Sequence, residues 1–101
     1  SRLEGRPCVV VSSDKINSRS SNIIVVPLSK KIKYQKGSTN MLKYEWNYIL
    51  YNSKYNLKFD SMVQCEDLRC ISKIRLGAYI DHVDTSDMQN IKKRLKSTLQ
   101  I

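Results

Sequence analysis

Arg6 stands in Gly5-Arg6-Pro7, directly ahead of the β-branched run Cys8-Val9-Val10-Val11. A guanidinium anchored at the entrance of a buried strand can grip a phosphate through two parallel hydrogen bonds. It can also offset the extra negative charge of a phosphoryl transition state. On its own the residue reads equally well as a surface arginine. Ser29 closes a second apolar run, Ile23-Ile24-Val25-Val26-Pro27-Leu28. Consecutive strands usually pair, so an antiparallel arrangement brings Arg6, before one strand, close to Ser29, after the other. Between residues 15 and 44 lie seven basic side chains (Lys15, Arg19, Lys30, Lys31, Lys33, Lys36, Lys43) and no acid, and seven of the eight aromatics fall between residues 34 and 59. Lysines attract phosphates whatever the base sequence, and exposed rings stack on unpaired bases, so the combination points to single-stranded RNA. The plainer alternatives are a solvated lysine loop and aromatics that build the core.

The elements that must position these residues are mostly strands. Residues 8–11 and 23–26 read as buried strands, with Pro27 demoting the end of the second to an edge or bulge. Tyr44, Trp46 and Tyr48 alternate with Lys43, Glu45 and Asn47, a period-two pattern that predicts a strand with its aromatics on one buried face. Residues 62–65 read as a further strand and 77–83 as a short final one. The one clear helix comes last. Asp84 is a good N-cap, Asp87 sits three residues later near the positive end of the dipole, and Val83 can staple onto Met88. Met88, Ile91, Leu95 and Leu99 form its apolar stripe. Strands followed by one packed helix predict a mainly β domain, a small barrel or curled sheet.

Composition narrows the function classes. With 101 residues one domain is expected, and 41% apolar with 27% charged residues fits a folded chain. The balance of 18 Lys+Arg against 9 Asp+Glu, net +9, calls for a polyanionic partner. No apolar run approaches a bilayer span, and the start has no signal-peptide core, which predicts a soluble cytoplasmic protein without a membrane partner. Three cysteines and a single histidine offer neither an even disulfide framework nor metal ligands at recognisable spacing, so free, mostly buried thiols and no metal or cofactor are expected.

Four blocks then fall in register with one family. Gly5-Arg6-Pro7-Cys8-Val9-Val10-Val11-Ser12-Ser13-Asp14 and Ile23-Ile24-Val25-Val26-Pro27-Leu28-Ser29 resemble the first two strand motifs of the MazF/PemK (Kid) toxins of bacterial type II toxin–antitoxin systems. Cys65-Glu66-Asp67-Leu68-Arg69-Cys70-Ile71-Ser72-Lys73-Ile74-Arg75-Leu76-Gly77 resembles the family's E/D-Q-I-R-x-I-D/S-K-x-R-L-G segment, and residues 84–99 its capped final helix. The resemblance spans nearly the whole chain. It implies the small SH3-like barrel of the MazF/Kid/CcdB type, with the family's N-terminal strand and Gly-rich loop absent before Ser1.

The resemblance also implies a function: a metal-independent endoribonuclease that cuts single-stranded RNA, mRNA in particular, at short sequences. In that chemistry the ribose 2′-hydroxyl attacks the adjacent phosphate, leaving a 2′,3′-cyclic phosphate and a 5′-hydroxyl. By position Arg6 matches the catalytic arginine, Ser29 the catalytic Thr/Ser, and Glu66 an acid proposed as general base. Glu66 reads equally as an acid paired with Arg69. Arg19, Lys30, Lys31, Lys33 and Arg69 are the expected RNA contacts. Asp67 stands where the family has Gln, and Gln64 where the Kid type has an arginine, so Arg6 and Ser29 carry the main assignment. The implied partners are a second copy of the chain and an acidic MazE-like antitoxin. Two other readings are a CcdB-like toxin that binds DNA gyrase without catalysis, and an inactive RNA-binding module.

Overall fold

In chain order the computed structural model, which describes residues 5–101, contains β1 (Cys8–Val10), α1 (Asp14–Arg19), β2 (Asn22–Ser29), β3 (Asn47–Leu50), β4 (Ser61–Gln64), β5 (Arg69–Ser72) and α2 (Thr85–Leu99), with 3₁₀ turns at Cys65–Asp67 and Lys73–Arg75. β2 is the strand on which the others are built. Its apolar run suits a strand paired on both edges. β1 lies antiparallel along one edge, with Cys8 opposite Pro27 and Val10 opposite Val25. β4 and then β5 follow the other edge, with Val63 opposite Leu28 and Arg69 opposite Val25. β3 pairs with β4 on its outer side.

Pro27 shapes this second edge. The Leu28 N–H donates to the Pro7 carbonyl at 3.1 Å, toward β1. Successive backbone groups alternate sides, so the position at Pro27 where a donor is missing faces β4 and β5. There the opposing chain leaves the ladder. Six residue steps, Val63 to Arg69, run against three on β2, Leu28 to Val25, and the surplus is the 3₁₀ turn Cys65–Asp67. Pro27 is therefore buried inside a central strand, and the bulge expected of it appears on the partner.

One face of the sheet packs Val9, Val26, Leu28, Leu50 and Val63 against Ile91 and Leu95 of α2. Asp84 caps that helix as expected, accepting the Asp87 N–H at 2.7 Å. The stripe ends sooner than the sequence suggests, because Leu99 is exposed. On the opposite face Ile23, Val25 and Ile71 cluster with Cys8 and Val10. The result is a mainly antiparallel β domain with a C-terminal helix, whose described strands do not close into a full barrel.

Several elements differ from the sequence reading. Residues 44–46 form a turn rather than a strand, since the Tyr44 and Trp46 rings stack at 4.6 Å and 15°. Side chains two apart on a strand stand about 7 Å from each other, too far for that stack. Residues 77–83 form no strand; Tyr79 is exposed, and the Asp81 carboxylate holds the segment by accepting the N–H groups of Asn56 and His82. α1 is a short helix between the first two strands, where the sequence shows no apolar stripe. It starts at Ser13, whose hydroxyl accepts the Ile16 N–H at 3.2 Å, and buries no side chain of its own. β5 has one buried residue, Ile71, too little for a pattern. Of the three free cysteines only Cys65 is buried; Cys70 is exposed.

Candidate functional site

The β1–β2 register runs one step past the ladder. With Cys8 opposite Pro27 and Pro7 bonded to Leu28, the next position sets Arg6 opposite Ser29, which meets the antiparallel condition read from the sequence. Local chemistry fixes both residues. Gly5 has φ of 72°, a turn that side chains disfavour, and Pro7 holds the preceding Arg6 to extended backbone. Arg6 is exposed. The Ser29 hydroxyl accepts the Lys31 N–H at 3.1 Å, while its reach to the Lys31 carbonyl, 3.5 Å, is at the limit of a bond. Its proton is thus available to an incoming oxygen.

The lysines that follow Ser29 extend the corner. Lys30, Lys31 and Lys33 are exposed, and the Lys30 ammonium lies 5.3 Å from the centre of the Phe59 ring. The loop folds back on itself, Lys43 donating its N–H to the Lys33 carbonyl at 2.9 Å and Tyr34 bridging Leu42. Arg69 lies opposite Val25, four residues along β2 from Ser29, hence about 13 Å away on the same face. Arg19 ends α1, beyond the far end of β2, and does not join this corner.

Glu66 sits in the 3₁₀ turn that faces Pro27. Its partner is Asn47 rather than Arg69. The Asn47 Nδ2 donates to Glu66 Oε1 at 2.8 Å and to the Val63 carbonyl at 3.1 Å, while Arg69 Nε reaches the Asp67 carbonyl at 3.4 Å. Arg94 of α2 donates to the Asn47 carbonyl at 2.9 Å and covers the Tyr48 ring. Asn47 is 1% exposed, although the alternation pattern had turned it to solvent. A polar residue among aromatics was the one available sign of its role.

A second polar centre also escaped the sequence reading. The Asp87 carboxylate, buried at the start of α2, accepts the hydroxyls of Tyr48 and Tyr55 and the Lys54 ammonium. Burial pushes the Asp87 carboxyl up, but these three donors outweigh it and leave it below its usual value. Burial and the bond to Asp87 push the Tyr55 phenol up to about 12. This centre fastens the helix to β3 and to the loop that follows it. Among the described residues no group of His, Cys, Asp and Glu is placed to hold a metal ion, and no helix is long and apolar enough to cross a membrane.

Comparison with known proteins matches this architecture. The sequence model of the family described as "PemK-like, MazF-like toxin of type II toxin-antitoxin system" matches residues 3–99. A curated relative, Endoribonuclease MazF of Staphylococcus saprophyticus, is 26% identical over 94 residues, covering 93% of this chain and 72% of the relative. The Mycobacterium tuberculosis toxin MazF-mt6 superposes with a TM-score of 0.79 at 14% identity, covering 95% of this chain and 87% of that one. A mycobacterial endoribonuclease solved in complex with its cognate antitoxin gives 0.74 at 20% identity, covering 95% and 82%.

Proposed function

This chain belongs to the PemK-like, MazF-like toxins of type II toxin–antitoxin systems, and on that premise we propose that it is a growth-arresting, metal-independent endoribonuclease that cuts single-stranded RNA, mRNA included. The observation that supports the reading is the antiparallel register of β1 and β2, which, extended past Pro7 and Leu28, sets Arg6 across from Ser29, the residue that Lys30, Lys31 and Lys33 follow. RNA supplies its own nucleophile. The 2′-hydroxyl oxygen bonds to the adjacent phosphorus, its proton passes to a base, and the bond to the 5′-oxygen breaks as that oxygen gains a proton. The products are a 2′,3′-cyclic phosphate and a 5′-hydroxyl.

In this scheme the Arg6 guanidinium takes up the charge that grows on the phosphorane oxygens, and the Ser29 hydroxyl donates to one of them. Glu66, fixed by Asn47, is the candidate base. Lys30, Lys31, Lys33 and Arg69 hold flanking phosphates, and Arg19 meets a more distant part of the strand. The working assembly is a cytoplasmic homodimer, restrained by an acidic antitoxin whose charge complements the net +9 of the chain.

The test is incubation of the protein with long single-stranded RNA in EDTA, with product ends mapped. Site-specific cuts bearing 5′-hydroxyl ends and lost in Arg6→Ala are the expected result. Unchanged cutting by folded Arg6→Ala protein refutes the assignment. No cutting by the folded parent protein transfers the function to gyrase binding or to RNA binding without catalysis.

A further inference from the structure

Asn47 is held at its backbone by α2. Arg94 donates its Nε–H to the Asn47 carbonyl at 2.9 Å, and the same guanidinium lies 4.9 Å from the centre of the Tyr48 ring. From that fixed backbone the buried side chain sends Nδ2 to two acceptors, the Val63 carbonyl at 3.1 Å and Glu66 Oε1 at 2.8 Å. Neither acceptor has a hydrogen to give, so the amide cannot exchange its ends. Its oxygen, Oδ1, is buried without a partner. A buried polar atom left unmet costs stability, which an apolar side chain of similar size avoids. Packing alone therefore does not account for an asparagine here; its bond to Glu66 does. Arg94 and Glu66 also act on one neighbour. Burial pushes the Cys65 thiol up to about 11, with the Glu66 charge adding to the rise and the Arg94 charge opposing it.

We propose that Asn47, braced by Arg94, is a positioning residue that pins Oε1 of Glu66 and leaves Oε2 open to take the proton of the ribose 2′-hydroxyl. The inference rests on the ribonucleolytic reading, with Glu66 as its base, and deepens it. Glu66 is exposed, and among the described residues no group donates to its Oε2. Without the Asn47 amide such a side chain spreads over several rotamers, most of which turn the carboxylate away from one fixed point. The Nδ2 fork removes that freedom by tying the 3₁₀ turn to Val63 of β4, the strand the turn leaves. Position agrees with this. The turn faces Pro27, two residues before Ser29 on the same face of β2. Strand spacing and rise put the two backbones about 8 Å apart, a gap that a ribose and its phosphate bridge when the phosphate sits at Arg6 and Ser29. In the step itself the 2′ O–H bond breaks, its electron pair forms the bond to phosphorus, and the proton passes to Oε2.

The test is a double-mutant cycle on the cleavage of one RNA, with kcat and KM separated and each variant's fold checked by circular dichroism. Asn47→Leu keeps the size of the side chain and removes the amide. Its kcat is expected to fall by about 10–10²-fold, as for a displaced reacting group, with KM within about twofold of the parent. Glu66→Gln keeps the acceptor for Asn47 but not the base, and lowers kcat by about 10²-fold or more. Adding Asn47→Leu to Glu66→Gln then changes kcat by less than about twofold, because no base is left to misplace. Arg94→Met keeps an unbranched stem beside Tyr48 and removes the donor; its loss of about three- to tenfold follows the same pattern and carries the test if Asn47→Leu does not fold. Equal losses with and without Glu66→Gln make the role structural and overturn the proposal, as does a raised KM at unchanged kcat. Glu66→Gln protein that cuts as fast as the parent overturns it while leaving Arg6 and Ser29 in their roles. A folded parent protein that cuts no RNA overturns it together with the ribonucleolytic reading.

Discussion

Replacing Tyr55 with Phe removes one oxygen that joins two elements. The Tyr55 hydroxyl donates to the Asp87 carboxylate and accepts the Asp84 N–H at 3.1 Å, at the first residues of α2. A hydrogen bond to a buried carboxylate contributes about 1.5–3 kcal/mol and one to a backbone N–H about 1 kcal/mol, while the ring packing is retained. The expected loss is about 3 kcal/mol, which for a domain of this size lowers Tm by about 10–15 °C. Chemical and thermal unfolding at a fixed protein concentration measure it. The pH dependence separates the mechanism from simple loss of packing. The carboxyl of Asp87 is held below its ordinary value in the folded state, so its contribution is complete above the unfolded value near about 3.9 and is lost as pH falls through the lower folded one. The gap between parent and Tyr55→Phe is therefore widest near neutrality and narrows, toward the share of the Asp84 N–H bond, as pH drops below the ordinary carboxylate range. A loss under about 0.5 kcal/mol at neutral pH, or an equal loss at neutral and strongly acid pH, refutes the reasoning.

Arg6→Ala is expected to lower the cutting rate by about 10²–10³ or more, as removal of a group that meets transition-state charge does. Its Tm should stay near the parent value, since Arg6 is exposed. Ser29→Thr keeps the hydroxyl and should retain activity, whereas Ser29→Ala loses both the phosphate donor and the acceptor of the Lys31 N–H; single-turnover cleavage of one RNA distinguishes them. Changing Lys30, Lys31 and Lys33 together to Ala should weaken RNA binding and flatten the slope of log K against log salt by about 2, at about 0.7 per phosphate contact on a single strand. A salt titration by fluorescence anisotropy with an uncleavable RNA checks it.

Legibility from sequence followed the strength of local pattern. β1 and β2 were readable because β-branched runs suit buried strands, and α2 because a cap and an apolar stripe agree. The alternating aromatics misled, since Tyr44 and Trp46 stack on each other instead of sharing a strand face. α1 carries a single large apolar side chain, Ile16, itself exposed, so it has no stripe to read. At the candidate site, Arg6 and Ser29 were readable as a pair because the strands they flank are consecutive. Asn47 was not. Its partner Glu66 is 19 residues away, and only β3 pairing with β4 brings them together.

That meeting traces back to one residue of β2. A proline at position 27 leaves the β4–β5 edge of the central strand without a donor, and an unbroken opposing strand would meet an acceptor there with nothing to bond. The three-residue surplus avoids this by turning the chain out of the ladder at Cys65–Asp67. The excursion lifts Glu66 clear of the sheet, where Asn47, at the start of β3, can reach it. It also buries the Cys65 side chain against α2, so the turn is anchored from beneath by the main core. Pro27 itself lies on the same face as Ser29, two residues before it, and opposite Cys8, two residues after Arg6. The residue that interrupts the sheet is thus the one that sets the distance between the Arg6–Ser29 corner and the Glu66–Asn47 pair. A regular strand through this point, with a donor at position 27, would carry Glu66 along the ladder instead of out toward β3.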